Sequence, residues 1–284
     1  MSQSSGRRLL IRHRTGFRYG DEVEASFNEV RMTPLTSDGQ LLISHYLEIH
    51  PSASVQTYDD YWGAHVEAFD VHVPHRVLEI VATSTVHTPP KPELLPGTTW
   101  DVVHSAPVQD RYAELLALTG YVDDPTDTDR APILAAMRSA STPREAAELA
   151  MSATRERISY TSGVTNVSTT AAQAWQSRQG VCQDFTHAML SLLRGAAIPA
   201  RYVSGYLHTE EPAPGETVVG ESHAWVEYWD GEWQAVDPTN DRAVGGAHVI
   251  VARGRDYADV PPLKGIYAGG KSEDLGVSVE ITQL

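Results

Sequence analysis

The stretch Gly180-Val181-Cys182-Gln183-Asp184-Phe185 places the one cysteine of the chain at the start of a predicted helix. A thiol reacts as its thiolate, and a helix N-terminus favours that anion through its partial positive charge and its free backbone N–H groups. A lone cysteine is more often a small buried apolar residue, but this position indicates a nucleophile. The helix itself is predicted by apolar residues at helical spacing, closed by a glycine that suits a C-terminal cap: Phe185, Ala188, Met189, Leu192, Leu193 and Gly195.

A histidine and an aspartate that follow Cys182 in the sequence, His223 and Asp237, can supply the base and the carboxylate that a thiol nucleophile needs. His223 begins the strand-like segment 223–229, from which its ring can act as a general base. Asp237 follows across the predicted hairpin turn Asp230-Gly231, so the two residues can lie on neighbouring antiparallel strands. A carboxylate beside the imidazole would hold its orientation and stabilise its protonated form. The order and topology predict a catalytic triad of Cys182, His223 and Asp237.

Other residues near these positions are candidates for the walls of a substrate cleft. Gln183 and Asp184 lie one turn into the helix and can either contact substrate or complement the helix dipole. Trp175, Tyr206 and Trp225 are large aromatics that line clefts in some enzymes but more often pack in the core. Both interpretations remain open for each of the five residues.

Four ordered blocks resemble the bacterial transglutaminase-like superfamily: residues 180–185, 198–206, 222–227 and 236–240. The resemblance is strong from about Thr154 to Asn240, and the first 88 residues look like the N-terminal region that often precedes this core. It implies that Cys182 is the nucleophile, His223 the base and Asp237 the orienting acid. It also implies a papain-like core in which the helix bearing the cysteine packs on an antiparallel sheet.

The patterns predict an α+β fold with two domains and a linker. Short β-like segments separated by turns fill the first part of the chain and favour an antiparallel β-sandwich: 9–13, 23–31, 40–50, 55–58, 66–73 and 77–86. We predict a β-rich domain at 1–88, a linker at 89–108 that begins proline-rich, and a catalytic domain at 109–284.

Within the predicted catalytic domain, helices precede the cysteine and strands follow it. Thr142, Pro143 and Glu145 form an N-cap and capping box that predict a helix to about Arg157. After the cysteine helix, the pattern returns to strands: 200–206, 223–229, 232–236, 247–253 and 277–281.

Composition limits the partners and the location. Lys and Arg number 22 against 37 Asp and Glu, a net charge of −15 that argues against nucleic acid and against a polybasic membrane contact. The N-terminus lacks the apolar run of a secretory signal, and no stretch is long enough to span a bilayer, so we predict a cytoplasmic protein. Twelve histidines raise the question of a metal. The closest pair, His72 and His75, has no evident third ligand, so we predict neither metal nor cofactor.

The reaction cannot be named from the triad alone. A thioester on Cys182 can be discharged onto water, as in a peptidase or amidase, or onto an amine, as in a cross-linking enzyme, and we favour hydrolysis of a peptide or protein substrate. The acidic loop 123–129 lacks the spacing of a calcium-binding hand. A non-catalytic binding scaffold is a third possibility, and a homo-oligomer is possible in each case. His187 would lie on the cysteine helix but away from the thiol, as a packing or surface residue.

Overall fold

The computed structural model describes residues 6–90, 96–124, 126–208, 215–220, 222–269 and 271–284. Part of the predicted proline-rich linker, residues 91–95, lies outside the described residues. Among the residues described, no helix is both long enough and apolar enough to cross a membrane.

Six strands form the N-terminal region: β1 (Arg7–Val23), β2 (Ser26–Val30), β3 (Leu41–His50), β4 (Val55–Asp59), β5 (His65–Val71) and β6 (His75–Thr88). β1 pairs antiparallel with β6, which pairs with β3, while β2, β5 and β4 form a second antiparallel sheet. Buried residues from both sheets share one apolar cluster, including Val30, Phe69 and Ile80. Burial alternates along the first part of β1, as expected of a strand with one face in a core. The predicted antiparallel β-sandwich is confirmed.

The sequence predicts a turn at Tyr19-Gly20-Asp21, between the segments 9–13 and 23–31, and this prediction is wrong. Residues 19–21 lie inside β1, which runs from Arg7 to Val23, whereas the sequence predicted a strand over 9–13 that ends before them. The register against β6 shifts between Arg18 and Val23, so the strand passes this point with an irregularity. The irregularity accommodates the Tyr-Gly-Asp sequence without ending the strand, and here Tyr19 pairs with Ser272 and the Gly20 N–H donates to the Lys271 carbonyl oxygen at 2.9 Å.

Helices dominate the middle of the chain. The predicted helix after Thr142 is present, and the Thr142 side chain accepts a hydrogen bond from the backbone N–H of Glu145. The Glu145 carboxylate in turn accepts from the Ser141 N–H, at 2.8 Å. The elements are α1 (Trp100–Val103), α2 (Ala106–Arg111), α3 (Ala113–Leu116), α4 (Ala131–Arg138), α5 (Pro143–Arg157), β7 (Ser159–Tyr160), α6 (Ala171–Ser177), β8 (Gln179–Gly180) and α7 (Cys182–Gly195).

The helix α7 begins at Cys182 and is the centre of the second core. Every residue from Gln183 to Arg194 is buried, and the apolar face packs in the large cluster that also contains α5, α6 and the central sheet. Gly180 precedes it because a Cβ atom there would lie 2.5 Å from the Cβ of Asp184. The glycine therefore lets the chain turn tightly into the first turn of α7.

The remaining strands are β9 (Ala200–Leu207), β10 (Thr217–Gly220), β11 (Ser222–Trp229), β12 (Trp233–Asp237), β13 (Arg242–Ala243), β14 (His248–Gly254), β15 (Leu263–Tyr267), β16 (Ser272–Asp274) and β17 (Ser278–Gln283). Five of them form an antiparallel sheet in the order β13-β12-β11-β9-β14. The predicted hairpin is present, with Trp229 paired to Trp233. Helix α7 packs on β9 and β11, so the cysteine helix lies on an antiparallel sheet, as the family resemblance implies.

The C-terminal strands return to the N-terminal sheets. β17 pairs antiparallel with both β1 and β10, β16 pairs with β1, and β15 pairs with β2. The N-terminal sheets thus contain strands from both predicted domains, 1–88 and 109–284. The predicted strand 277–281 is present as β17, but its partners were not predictable because local pattern does not specify which distant strand it joins.

Replacement of Ile281 by alanine tests this return of the chain. Ile281 is buried opposite Ile11 of β1, within the large apolar cluster. We expect Ile281→Ala to lower the free energy of unfolding by about 2–4 kcal/mol, since a buried Ile→Ala change removes apolar contact and leaves a cavity. Urea unfolding measures the change. Leu284→Ala, at a side chain that is 54% exposed, is the control and should change it by less than about 0.5 kcal/mol.

Candidate active site

The thiol of Cys182 lies at the first residue of α7, on the edge of the second core. Its side chain is partly exposed, and Sγ is 4.0 Å from the backbone carbonyl oxygen of Ser222, the residue before His223. Asp184 stabilises this start of the helix, because its Oδ2 accepts the backbone N–H of Val181 at 2.7 Å. The thiol is therefore accessible while its backbone is held firmly.

His223 lies between the thiol and a carboxylate. Its Nε2 is 2.8 Å from Oδ2 of Asp237, and the Cys182 side chain is near enough to the ring to raise its pKa. Since the carboxylate occupies Nε2, Nδ1 is the ring nitrogen left for the thiol. Burial alone lowers the pKa of His223, but hydrogen bonds and charges from Asp237 and Cys182 outweigh it and raise the pKa to about 9. The structure brings all three predicted triad residues together.

Asp237 is fully buried and accepts hydrogen bonds on both carboxylate oxygens. Oδ1 accepts the backbone N–H groups of Thr239, at 3.0 Å, and Asn240, at 3.2 Å. Oδ2 accepts from His223, from the Asn240 side chain at 2.9 Å and from His248 at 3.3 Å. Burial raises the pKa of Asp237, but the side-chain donors together hold it well below its usual range. The carboxylate therefore stays charged across the working pH range.

The turn that carries Asp237 is fixed from α5. The guanidinium of Arg155 donates from Nη1 to the carbonyl oxygens of Pro238, at 3.1 Å, and Thr239, at 3.0 Å. This turn directs the backbone N–H groups of Thr239 and Asn240 toward the carboxylate. Helix α5 thus contributes to the geometry around Asp237.

The five cleft candidates are largely internal. Gln183 and Asp184 bind the loop before α6, through Gln183 Nε2 to the Val167 carbonyl at 3.2 Å and Asp184 Oδ2 to the Thr165 hydroxyl at 2.7 Å. The aromatic candidates are at most 3% exposed: Trp175, Tyr206 and Trp225. A role for these side chains as cleft walls stays a prediction.

Two of the buried aromatics have specific neighbours. The Trp225 ring lies beside His223, with centroids 6.1 Å apart, and meets His248 edge-on at 5.2 Å. Gly205, opposite His223 on β9, has no side chain because a Cβ there would lie 2.0 Å from the Val249 carbonyl oxygen. Close packing of β14 and Trp225 therefore fixes the position of the His223 ring.

Sequence reasoning missed two residues that contact Asp237. Asn240 lies in the block 236–240, but its amide contact with Asp237 had no sequence signal of its own. His248 was included in the predicted strand 247–253, and nothing in the local pattern shows that β14 pairs with β9 and so reaches the carboxylate. Only the sheet order brings His248 to the site.

The cluster of His223, Asp237 and His248 has the composition of a metal site. One ligand atom of each lies within 4.8 Å of the others, the one such group found among the described residues. Each histidine nitrogen is already hydrogen-bonded to the same carboxylate oxygen, at 2.8 and 3.3 Å. These contacts account for the arrangement without an ion, and the expected absence of a metal stays a prediction.

His187 is a packing residue. Its side chain is fully buried, and Nε2 accepts the backbone N–H of Tyr257 at 3.2 Å. Burial lowers its pKa to about 3, so the ring is neutral. Of the two positions predicted for it, core packing or the surface, the structure shows the first.

Comparison with known proteins agrees with this architecture. Residues 132–238 match the model of the transglutaminase-like superfamily, and residues 9–87 match the bacterial transglutaminase-like N-terminal region. The chain is 41% identical over 278 residues to an uncharacterized protein of Mycobacterium leprae (strain TN), covering 98% of this chain and 99% of that one. The chain belongs to the transglutaminase-like superfamily and carries the N-terminal region of its bacterial members.

Two further similarities concern the fold and part of the sequence. A solved structure from Cytophaga hutchinsonii, described as a "putative cysteine protease", has a TM-score of 0.79 at 21% identity and covers 100% of this chain and 92% of that one. At that identity the similarity shows the fold. A protein-glutamine gamma-glutamyltransferase of Pseudomonas aeruginosa is 40% identical over 102 residues, which cover 32% of this chain and 15% of that protein.

Proposed function

We propose that the protein is a thiol acyl-transfer enzyme that hydrolyses an amide bond of a peptide or protein, with Cys182 as nucleophile. The observation that carries the proposal is the 2.8 Å hydrogen bond between His223 and the buried, charged Asp237, with the Cys182 thiol 4.0 Å from the carbonyl oxygen of Ser222, the residue before His223. Each group has the surroundings that its role requires. A binding scaffold has no need of this arrangement, which argues against a non-catalytic role.

The proposed reaction has two halves. The Cys182 thiolate attacks the amide carbonyl carbon, and the backbone N–H of Cys182, which has no acceptor within the helix, stabilises the oxyanion. Protonated His223 then gives its proton to the leaving amine as the C–N bond breaks, leaving a thioester. In the second half, His223 takes a proton from water, the resulting hydroxide attacks the thioester, and the acid product leaves as the thiol is restored.

Two observations support water as the acceptor. The partly exposed thiol suggests that water can reach the thioester. The acidic loop before α4 is organised by an internal cation, because the Arg130 guanidinium bonds Asp123 at 3.0 Å and also contacts Asp127. That loop therefore does not need a calcium ion to balance its charge, and it does not resemble the calcium-binding loops of animal cross-linking enzymes.

Transfer to an amine is the second candidate. It is favoured by the 40% identity over 102 residues to the Pseudomonas glutamyltransferase. The triad serves both reactions equally, because they differ only in what attacks the thioester.

Product analysis separates the two. The full chain is incubated with a glutamine-containing peptide library, with and without a labelled primary amine, and the products are resolved by mass spectrometry. We expect hydrolysed peptides under both conditions and little amine adduct. Adducts that exceed hydrolysis products would establish amine transfer instead, and no Cys182-dependent product in either arm would contradict the proposal.

A further inference from the structure

His248 is a second imidazole on the triad carboxylate. Its Nε2 lies 3.3 Å from Oδ2 of Asp237, the oxygen that also binds His223. On the other side of the ring, Nδ1 is 3.3 Å from the backbone nitrogen of Gly245. The side chain is 4% exposed and packs edge-on against Trp225. The ring is thus bound at both nitrogens and enclosed.

The two contacts define where the His248 proton is. The Gly245 N–H donates, so Nδ1 must accept and carries no hydrogen. The proton is then on Nε2, which donates to the carboxylate. Burial lowers the pKa of His248 more than its contact with Asp237 raises it, so the ring is neutral at physiological pH.

Resting on the proposed function, we propose that His248 is a positioning residue whose neutral Nε2–H holds Oδ2 of Asp237 in place and limits how strongly that oxygen attracts the His223 proton. It acts through Asp237 and does not touch the reacting atoms. The strength of this attraction matters in the step in which His223 acts as general acid and gives its proton to the leaving amine. If the carboxylate holds the imidazolium proton too tightly, His223 gives it up less readily to the leaving amine.

The charges around the Asp237 carboxylate favour a protonated His223 and a neutral His248. His223 and His248 share one anionic oxygen, and Arg242 of β13 adds a further positive charge that disfavours protonation of His248. The Cys182 side chain instead favours protonation of His223. One histidine therefore carries the charge and the other remains a neutral donor.

The test compares His248→Gln, which keeps an N–H donor near the position of Nε2, with His248→Leu, which has none. Alkylation of Cys182 by iodoacetamide is followed from pH 5 to 10.5, where the wild-type rate should change in a step near pH 9 as His223 loses its proton. We expect the step to stay in place in the Gln variant and to move up by about half a unit to one unit in the Leu variant. At pH 7, kcat for amide hydrolysis should fall about 3- to 10-fold in the Leu variant, with the alkylation rate unchanged.

A second, spectroscopic measurement tests the inference even if the His248→Leu protein does not fold and even if the proposed function is wrong. In ¹⁵N-histidine spectra of the full-length wild-type and Cys182→Ala proteins, the His248 ring, assigned through the Gln variant, should show a protonated Nε2 and an unprotonated Nδ1 at pH 7. A proton on Nδ1, or on both nitrogens, would overturn the inference. An unmoved step in a folded Leu variant would also overturn it, and leave the proposed function standing. Loss of hydrolysis in wild type with the expected tautomer present would contradict only the function.

Discussion

Cys182→Ala is expected to abolish amide turnover, by at least about 10⁴-fold, while the protein remains folded. Alanine removes the sulfur that forms the thioester, and no second cysteine in the sequence can replace it. The fold should tolerate the change because the thiol is partly exposed and packs only at the margin of the core. Its contact to the Ser222 carbonyl, at 4.0 Å, is a weak one to lose.

The single cysteine also makes the measurement unambiguous. One alkylation adduct per wild-type chain, and none in Cys182→Ala, identifies the modified residue by mass alone. Hydrolysis is followed with the same peptide library, and thermal unfolding checks the fold. Leu118→Ala, at an exposed side chain just after α3, is the control and should retain wild-type activity. Turnover by the Cys182→Ala protein within 10-fold of wild type would rule out a thioester at this position.

The sequence predicts best where local pattern and local chemistry coincide. The helix from Cys182 is present because its apolar stripe acts within fourteen residues, but Gly195 is its last residue and Ala196 is the C-cap, so the predicted capping role of the glycine is wrong. The hairpin that brings His223 and Asp237 together follows from a short Asp-Gly turn between two strands. These are contacts between neighbouring elements, so periodicity and turn chemistry suffice to place them.

The features that could not be predicted from the sequence depend on contacts between segments that are far apart in the chain. β17 joins β1 across almost the whole chain, and alternating residues do not name a partner strand. His248 reaches Asp237 only because β14 crosses to the far side of β9. The aromatic candidates show the same limit: whether Trp225 faces a cleft or the core depends on how tightly Gly205 lets β14 approach.

Asp237→Asn is expected to lower turnover by about 10²–10⁴-fold with little change in side-chain volume. The carboxamide carries no charge to stabilise protonated His223. Its NH₂ group would also face donors, because Oδ2 accepts from His223, His248 and Asn240. A buried donor set against donors costs on the order of 2–4 kcal/mol of folding stability.

The pH dependence of the unfolding free energy distinguishes loss of the ion pair between His223 and Asp237 from a general loss of stability. His223 has a pKa of about 9 in the folded protein against 6.5 for the free side chain, so its stabilisation is fully present below pH 6.5 and is lost as the pH rises through 9. The difference in unfolding free energy between wild type and Asp237→Asn should therefore be largest near pH 6 and should narrow by pH 10. Urea unfolding at these two pH values measures it.

Asp241→Asn is the matched control, because Asp241 lies in the same turn but is exposed, and its ion pair with Arg155 is 3.6 Å long. Its φ of 54° suits asparagine as well as aspartate. We expect less than about 0.5 kcal/mol of destabilisation and near wild-type turnover for this variant. If the penalty of Asp237→Asn is the same at pH 6 and pH 10, the carboxylate contributes only hydrogen bonds. The charge on Asp237 would then not be what holds the proton on His223, and the proposed transfer of that proton to the leaving amine would lose its main support.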